Sequence, residues 1–126
     1  MSRKLISTGS PFEKTAGYSR AVAAGDECFV SGTTGYDYDT MTMPEDVSEQ
    51  TRNALATIGR ALEEADFSFR DVVRARYVVT DRAHVQTVFA ILGETFGEVR
   101  PAATMIIADL VEPEMKVEID VTAKRI

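Results

Sequence analysis

Near the end of the chain, Lys116-Val117-Glu118-Ile119-Asp120-Val121-Thr122 alternates polar and apolar side chains, the period of a half-buried β-strand. Glu118 and Asp120 therefore share one face, and Val117, Ile119 and Val121 the other. Val72 to Val79 is rich in β-branched and aromatic residues and reads as another strand, with Arg74, Arg76 and Val78 on one face. Carboxylates and guanidiniums on a common covered face are expected to pair, because an unpaired buried charge is expensive. Two chemistries fit such a pairing. One is a structural ion pair at an interface. The other is a ligand site in which Arg76 holds a substrate carboxylate and Glu118 places a water or a proton.

Residue counts exclude much else. With one cysteine and one histidine, a Cys/His metal cluster cannot form, and no metal or cofactor is expected. Cys28 falls inside a predicted strand and His84 in the first turn of a predicted helix, so they read as a core residue and a surface residue rather than as a nucleophile and its base. Ser31-Gly32-Thr33-Thr34-Gly35 has glycines but lacks the lysine and spacing of a phosphate-cradling loop. Met41, Met43, Met105 and Met115 read as core fillers.

The elements that must position Glu118 and Arg76 follow from periodicity. Three short strands precede the first long helix; two form a hairpin, Ser19–Ala24 and Cys28–Ser31, around the turn Gly25-Asp26-Glu27. Gly32 to Pro44, rich in Gly, Thr, Asp and Tyr, reads as an exposed loop. Val47, Thr51, Ala54, Leu55, Ile58, Ala61, Leu62 and Ala65 then form one helical stripe, with Glu45, Asp46 and Glu49 at the positive end of its dipole. Asp81 is the candidate N-cap of a second helix, with Val85, Val88, Phe89, Leu92 and Phe96 inward and Gly97 at its end. Strands Ala102–Ala108 and Met115–Ala123 close the chain. The predicted class is α+β, in the order β-β-β-α-β-α-β-β, with two helices on one face of a mixed sheet. The other face mixes Val78, Ile106 and Ala108 with Arg74, Arg76, Glu118 and Asp120, and a face of that kind is expected to pack on another subunit.

Residues 1–126 suit one domain and leave no room for a second core. A formal charge of −6 repels phosphate backbones, so no nucleic-acid partner is expected. Met1 to Ser7 has two basic residues but no apolar run behind them, and no stretch reaches membrane-spanning length. With a lone cysteine, the expected location is cytoplasmic, with no membrane partner.

Five segments now carry a resemblance: Gly17-Tyr18-Ser19-Arg20-Ala21-Val22, Phe29-Val30-Ser31-Gly32, Asp71-Val72-Val73-Arg74-Ala75-Arg76, Arg100-Pro101-Ala102 and Val117-Glu118-Ile119. In order and spacing, from about Tyr18 to Arg125, they resemble the YjgF/RidA family. The resemblance implies a chorismate-mutase-like fold, a homotrimer and three inter-subunit clefts that bind small carboxylates or keto and imino acids. It also implies hydrolysis of reactive enamines and imines, such as 2-iminopropionate, to a keto acid and ammonia. In deaminating members an arginine in a Pro-Ala-Arg motif grips the substrate carboxylate, while a glutamate on the last strand and a tyrosine near the N-terminus position water. Carried over, the glutamate is Glu118, the tyrosine Tyr18 and the strand serine Ser31, beside Gly32.

The arginine does not carry over. The segment reads Arg100-Pro101-Ala102-Ala103-Thr104, which puts Ala103 at its position. An alanine cannot supply the two charge-assisted bonds of a guanidinium, together worth about 3 kcal/mol. Ala103 and Thr104 remain as lining, and Arg76 is the stand-in anchor. Three functions follow: an imine or enamine deaminase of altered specificity, a non-catalytic ligand-binding or regulatory trimer, and a translation inhibitor or endoribonuclease. The third ranks last, since ribonuclease chemistry draws on a His pair or metal and a basic groove.

Overall fold

A computed structural model describes residues 2–126, so Met1, which opens the segment read for a leader, lies outside the described residues. The elements in chain order are β1 (Arg3–Ile6), α1 (Pro11–Ala16), β2 (Ala21–Ala24), β3 (Glu27–Thr33), α2 (Val47–Glu64), β4 (Val72–Val79), α3 (Val85–Phe96), β5 (Ala102–Ile107) and β6 (Val117–Lys124). The six strands form one sheet in the order β1-β2-β3-β6-β4-β5. Only β4 and β5 run parallel, with α3 as their crossover; the other neighbours are antiparallel.

The apolar stripe of α2 becomes its buried face, from Val47 through Ala54, Leu55 and Ile58 to Leu62. Asp46 caps it, accepting from the Ser48 N–H at 3.1 Å. These side chains meet Val117, Ile119 and Val121 of β6 and Ala75, Tyr77 and Val79 of β4 in one core. Cys28 is fully buried there, and burial pushes its thiol up. Asp81 does cap, accepting from the Ala83 N–H at 2.8 Å, but it caps a 3-10 turn, Arg82–His84, that leads into α3.

Three expectations need correcting. A short helix, α1, intervenes between β1 and β2; Ser10 caps it and Gly17, at φ 73°, ends it. Phe89 is half-exposed, and Ile91 takes its place on the inner side of α3. The segment after β3 is not an exposed loop throughout: Thr33 to Tyr36 are buried, and the Tyr36 hydroxyl donates to Glu114 at 2.7 Å. That loop is rich in polar residues because its backbone turns against α2, where Asn53 Nδ2 donates to the Gly35 carbonyl at 3.0 Å.

The sheet face away from α2 and α3 has no cover from this chain. The pairing register lays Leu5, Val22, Phe29, Thr122, Arg74 and Ala102 across it in one row. Leu5, Phe29 and Ile106 are 60%, 45% and 43% exposed, so the open face has apolar as well as charged character.

Candidate functional site

Alternation along β6 aims Glu118, Asp120 and Thr122 at the open face, as the sequence pattern predicts. Register then decides their neighbours. Arg76 pairs Asp120 on one side and Thr104 on the other, and Val78 pairs Glu118. The expected guanidinium–carboxylate pair forms, with Asp120 as the partner: Arg76 Nε lies 3.1 Å from Asp120 Oδ2. Both side chains keep substantial exposure, so the pair is worth little to stability. Among the described residues only the Nε of Arg76 is engaged, which leaves its terminal nitrogens for a ligand.

Glu118 stands differently. It is half-buried, and no hydrogen bond or ion pair engages its carboxylate among the described residues. Its closest neighbour is Gly32, where β3 bulges between Val30 and Thr33. A β-carbon on Gly32 would lie 2.6 Å from Glu118 Oε1 and 2.7 Å from Cδ, so only glycine lets the carboxylate rest there. Burial, then the charge of Asp120, pushes the Glu118 carboxyl above its ordinary range; Arg20 and Arg76 pull the other way. A carboxyl shifted toward neutrality with unused lone pairs has the character of a general acid or base.

Ser31 lies on β3 next to Gly32, and Tyr18 lies ahead of β2. The Ser31 hydroxyl donates to the Ser19 carbonyl at 2.6 Å, which leaves its oxygen lone pairs as acceptors. Tyr18 is 38% exposed and its ring lies 5.6 Å from the guanidinium carbon of Arg20. Thr104 is exposed on the open face beside Arg76. Glu118, Gly32, Arg76 and Thr104 thus share one face; Ser31 adjoins Gly32 in β3 and Tyr18 lies beside Arg20, and no hydrogen bond among the described residues links either to Glu118.

Ala103 does not join them. It pairs Ala75, on the helix side of the sheet, and lines an apolar groove of about 380 Å³ with Tyr77, Phe89, Phe96, Arg100 and Pro101. The cause is the strand period itself: Thr104 and Ala103 are consecutive and must face opposite ways. Within one chain, then, the position of the missing arginine and the Glu118 carboxylate are on opposite faces. The sequence reading also assigned no role to Arg20, which is fully buried. Its signals are a lone charge ahead of the small-residue run Ala21-Val22-Ala23-Ala24 and its place in the segment Gly17–Val22 that carries the family resemblance.

No helix among the described residues is long and apolar enough to cross a membrane. The family model described as Endoribonuclease L-PSP matches residues 8–125. SCO2049 of Streptomyces coelicolor is 33% identical over 123 residues, spanning 97% of this chain and 92% of that protein. The crystal structure of Rv2704 from Mycobacterium tuberculosis, described as a member of the YjgF/YER057c/UK114 family, matches with TM-score 0.89 and 39% identity, covering 98% of this chain and 100% of that one. TdcF of E. coli, crystallised with bound serine, shares the fold at TM-score 0.80 and 24% identity, over 86% of this chain and 87% of that one. With its fold, its motifs and nearly its whole length matched, the chain belongs to the YjgF/UK114 family, the family whose model is described as Endoribonuclease L-PSP.

Proposed function

We propose that this protein hydrolyses the C=N bond of small imino acids, with Glu118 as the acid–base group and Arg76 as the carboxylate anchor. The observation that carries the reading is the unengaged Glu118 carboxylate resting on Gly32, on the same face as a guanidinium with free terminal nitrogens. Arg76 sits diagonally from Glu118 across β4 and β6, roughly 7 to 8 Å between strand positions. That span suits a three-carbon imino acid, its carboxylate on Arg76 and its imine carbon over Glu118. In the reaction Glu118 takes a proton as water adds to the imine carbon. The resulting carbinolamine collapses to the keto acid, and the proton leaves with the nitrogen as ammonia.

The open face is the natural place for further subunits, and we read the working form as a cytoplasmic homotrimer in which that face is covered and the cleft completed. In such an assembly Thr104 would line that cleft from the open face, and Ala103, on the opposite face, would line one only where a neighbouring copy packs against the helix side. Ala103 supports one competing reading, a ligand-binding trimer without chemistry, because it removes a charged anchor from the site.

Ammonia release from freshly generated 2-iminopropionate separates the two. Arg76→Ala is expected to lower kcat/KM roughly 10- to 100-fold, the worth of about 1.5–3 kcal/mol in charge-assisted bonds. Activity that appears only in Ala103→Arg would assign the natural ligand to another class and leave the wild type as a binding protein. Wild-type activity that Arg76→Ala leaves unchanged would remove Arg76 from the site.

A further inference from the structure

Arg20 is fully buried, yet it is poorly served as a structural group. Its Nη1 donates to the Gly32 carbonyl at 2.7 Å and to Thr33 Oγ1 at 3.1 Å. Its Nε and Nη2 have no hydrogen-bond partner among the described residues. Glu13, also buried, stands 3.6 Å from Nη2, close enough for charge attraction. The rings of Tyr38 and Tyr18 lie 4.9 and 5.6 Å from the guanidinium carbon. A buried pair of this kind is weak support for stability, and well-packed apolar residues commonly do as well or better. Its position explains more than its strength does. One end of the guanidinium holds the carbonyl of the residue on which the Glu118 carboxylate rests, and the other end faces Glu13.

We infer that Arg20 and Glu13 are positioning residues for Glu118: Arg20 fixes the Gly32 bulge under the Glu118 carboxylate and sets the charge it feels, and Glu13 holds Arg20 and moderates that charge. Glu13 is itself fixed. Ser7 donates to its Oε1 at 2.8 Å, and the Thr8 hydroxyl and N–H both donate to Oε2. Burial pushes the Glu13 carboxyl up, but these bonds together with Arg20 outweigh it and hold the group below its ordinary range. It is therefore charged wherever Glu118 titrates. The charged groups that act on Glu118 are Asp120 on its own strand, Arg76 on β4 and Arg20 ahead of β2. Among them only Arg20 is buried and locked by the backbone of β3.

The inference deepens the reading of Glu118 as the acid–base group and rests on it for its catalytic meaning, but its test does not need turnover. The full-length protein, with carbon-13 in the glutamate carboxyls, is titrated by NMR and the Glu118 midpoint followed. Arg20→Gln removes a positive neighbour and should raise that midpoint by roughly one pH unit. Arg20→Lys keeps the charge and should leave it within about 0.3 unit of wild type. Glu13→Gln removes the negative moderator and should lower it. Opposite signs from two changes that both weaken one ion pair are the signature; a merely structural role lowers the melting temperature in both and leaves the midpoint in place. If Arg20→Gln does not fold, Glu13→Gln decides alone. Midpoints that stay put, or move the same way in both variants, overturn the inference. Shifted midpoints in a protein that releases no ammonia keep it and discard the deaminase reading.

Discussion

Glu118→Gln is expected to cut kcat/KM for 2-iminopropionate hydrolysis by roughly 10²- to 10⁴-fold, the usual worth of a positioned acid–base group. Glutamine keeps the volume and the contact with Gly32 while removing the titratable oxygen, so a loss of activity cannot be laid to a cavity. Because the anchor is a different residue, KM should change far less than kcat. A variant that retains a tenth or more of wild-type turnover would take Glu118 out of the chemistry. Stability should move the other way. The folded-state carboxyl is raised by burial and by Asp120, so its contribution is complete below the unfolded-state value and is lost as pH rises through the folded one. Glutamine escapes that loss. Denaturation midpoints of the two proteins should therefore diverge from acid to neutral pH, with the variant the more stable at pH 7. Parallel curves would contradict the raised carboxyl.

Gly35→Ala should be the most damaging single methyl in the molecule. The new β-carbon would fall against the α-carbon of Gln50, 2.5 Å from its β-carbon and 2.8 Å from its carbonyl oxygen. No side-chain rotation relieves an overlap with helix backbone, so α2 must shift. Gln50 is fully buried and links three segments: its Nε2 donates to the carbonyls of Pro44 at 2.8 Å and Glu114 at 3.0 Å, and its Oε1 accepts from the Lys116 N–H at 2.9 Å. Moving it disturbs the start of β6, two residues before Glu118. A loss of about 3 kcal/mol or more in urea unfolding is expected. Gly93→Ala is the control. It lies within α3 with nothing within 4 Å of the added carbon, and should stabilise by about 0.5–1 kcal/mol. A Gly35→Ala protein as stable as wild type would mean that the approach of this loop to α2 is looser than described.

What could be read in advance was periodic. The stripe of α2, the bounds of β4 and the alternation of β6 each repeat over many residues, so the face of Glu118 and of Arg76 followed from counting. What could not be read was local or long-range. Helix α1 is six residues, too short for a stripe, although Ser10-Pro11 and Gly17 carried its start and stop signals. Phe89 was placed inward by spacing that also fits Ile91, and packing against α2 chose between them. Asp120, not Glu118, as the partner of Arg76 depends on the β4–β6 register, which shifts between Val72 and Arg74 and which no local pattern reveals. Arg20 belongs to no periodic pattern. Its burial is created by α1, the β3 bulge and the loop after it, where Glu13, Gly32, Thr33 and Tyr38 close around the guanidinium.

The strand order has a temporal meaning. β6 is flanked by β3 and β4, yet of the six strands it is the last to leave the ribosome. Until then β1–β3 and β4–β5 are two separate ribbons, each with an unpaired edge of the sort that recruits stray strands. Their joining waits on one segment that also carries Glu118. A nascent chain has no carboxylate against its Gly32 bulge until its sheet is whole, so the last strand completes the fold and brings Glu118 to that bulge in the same step.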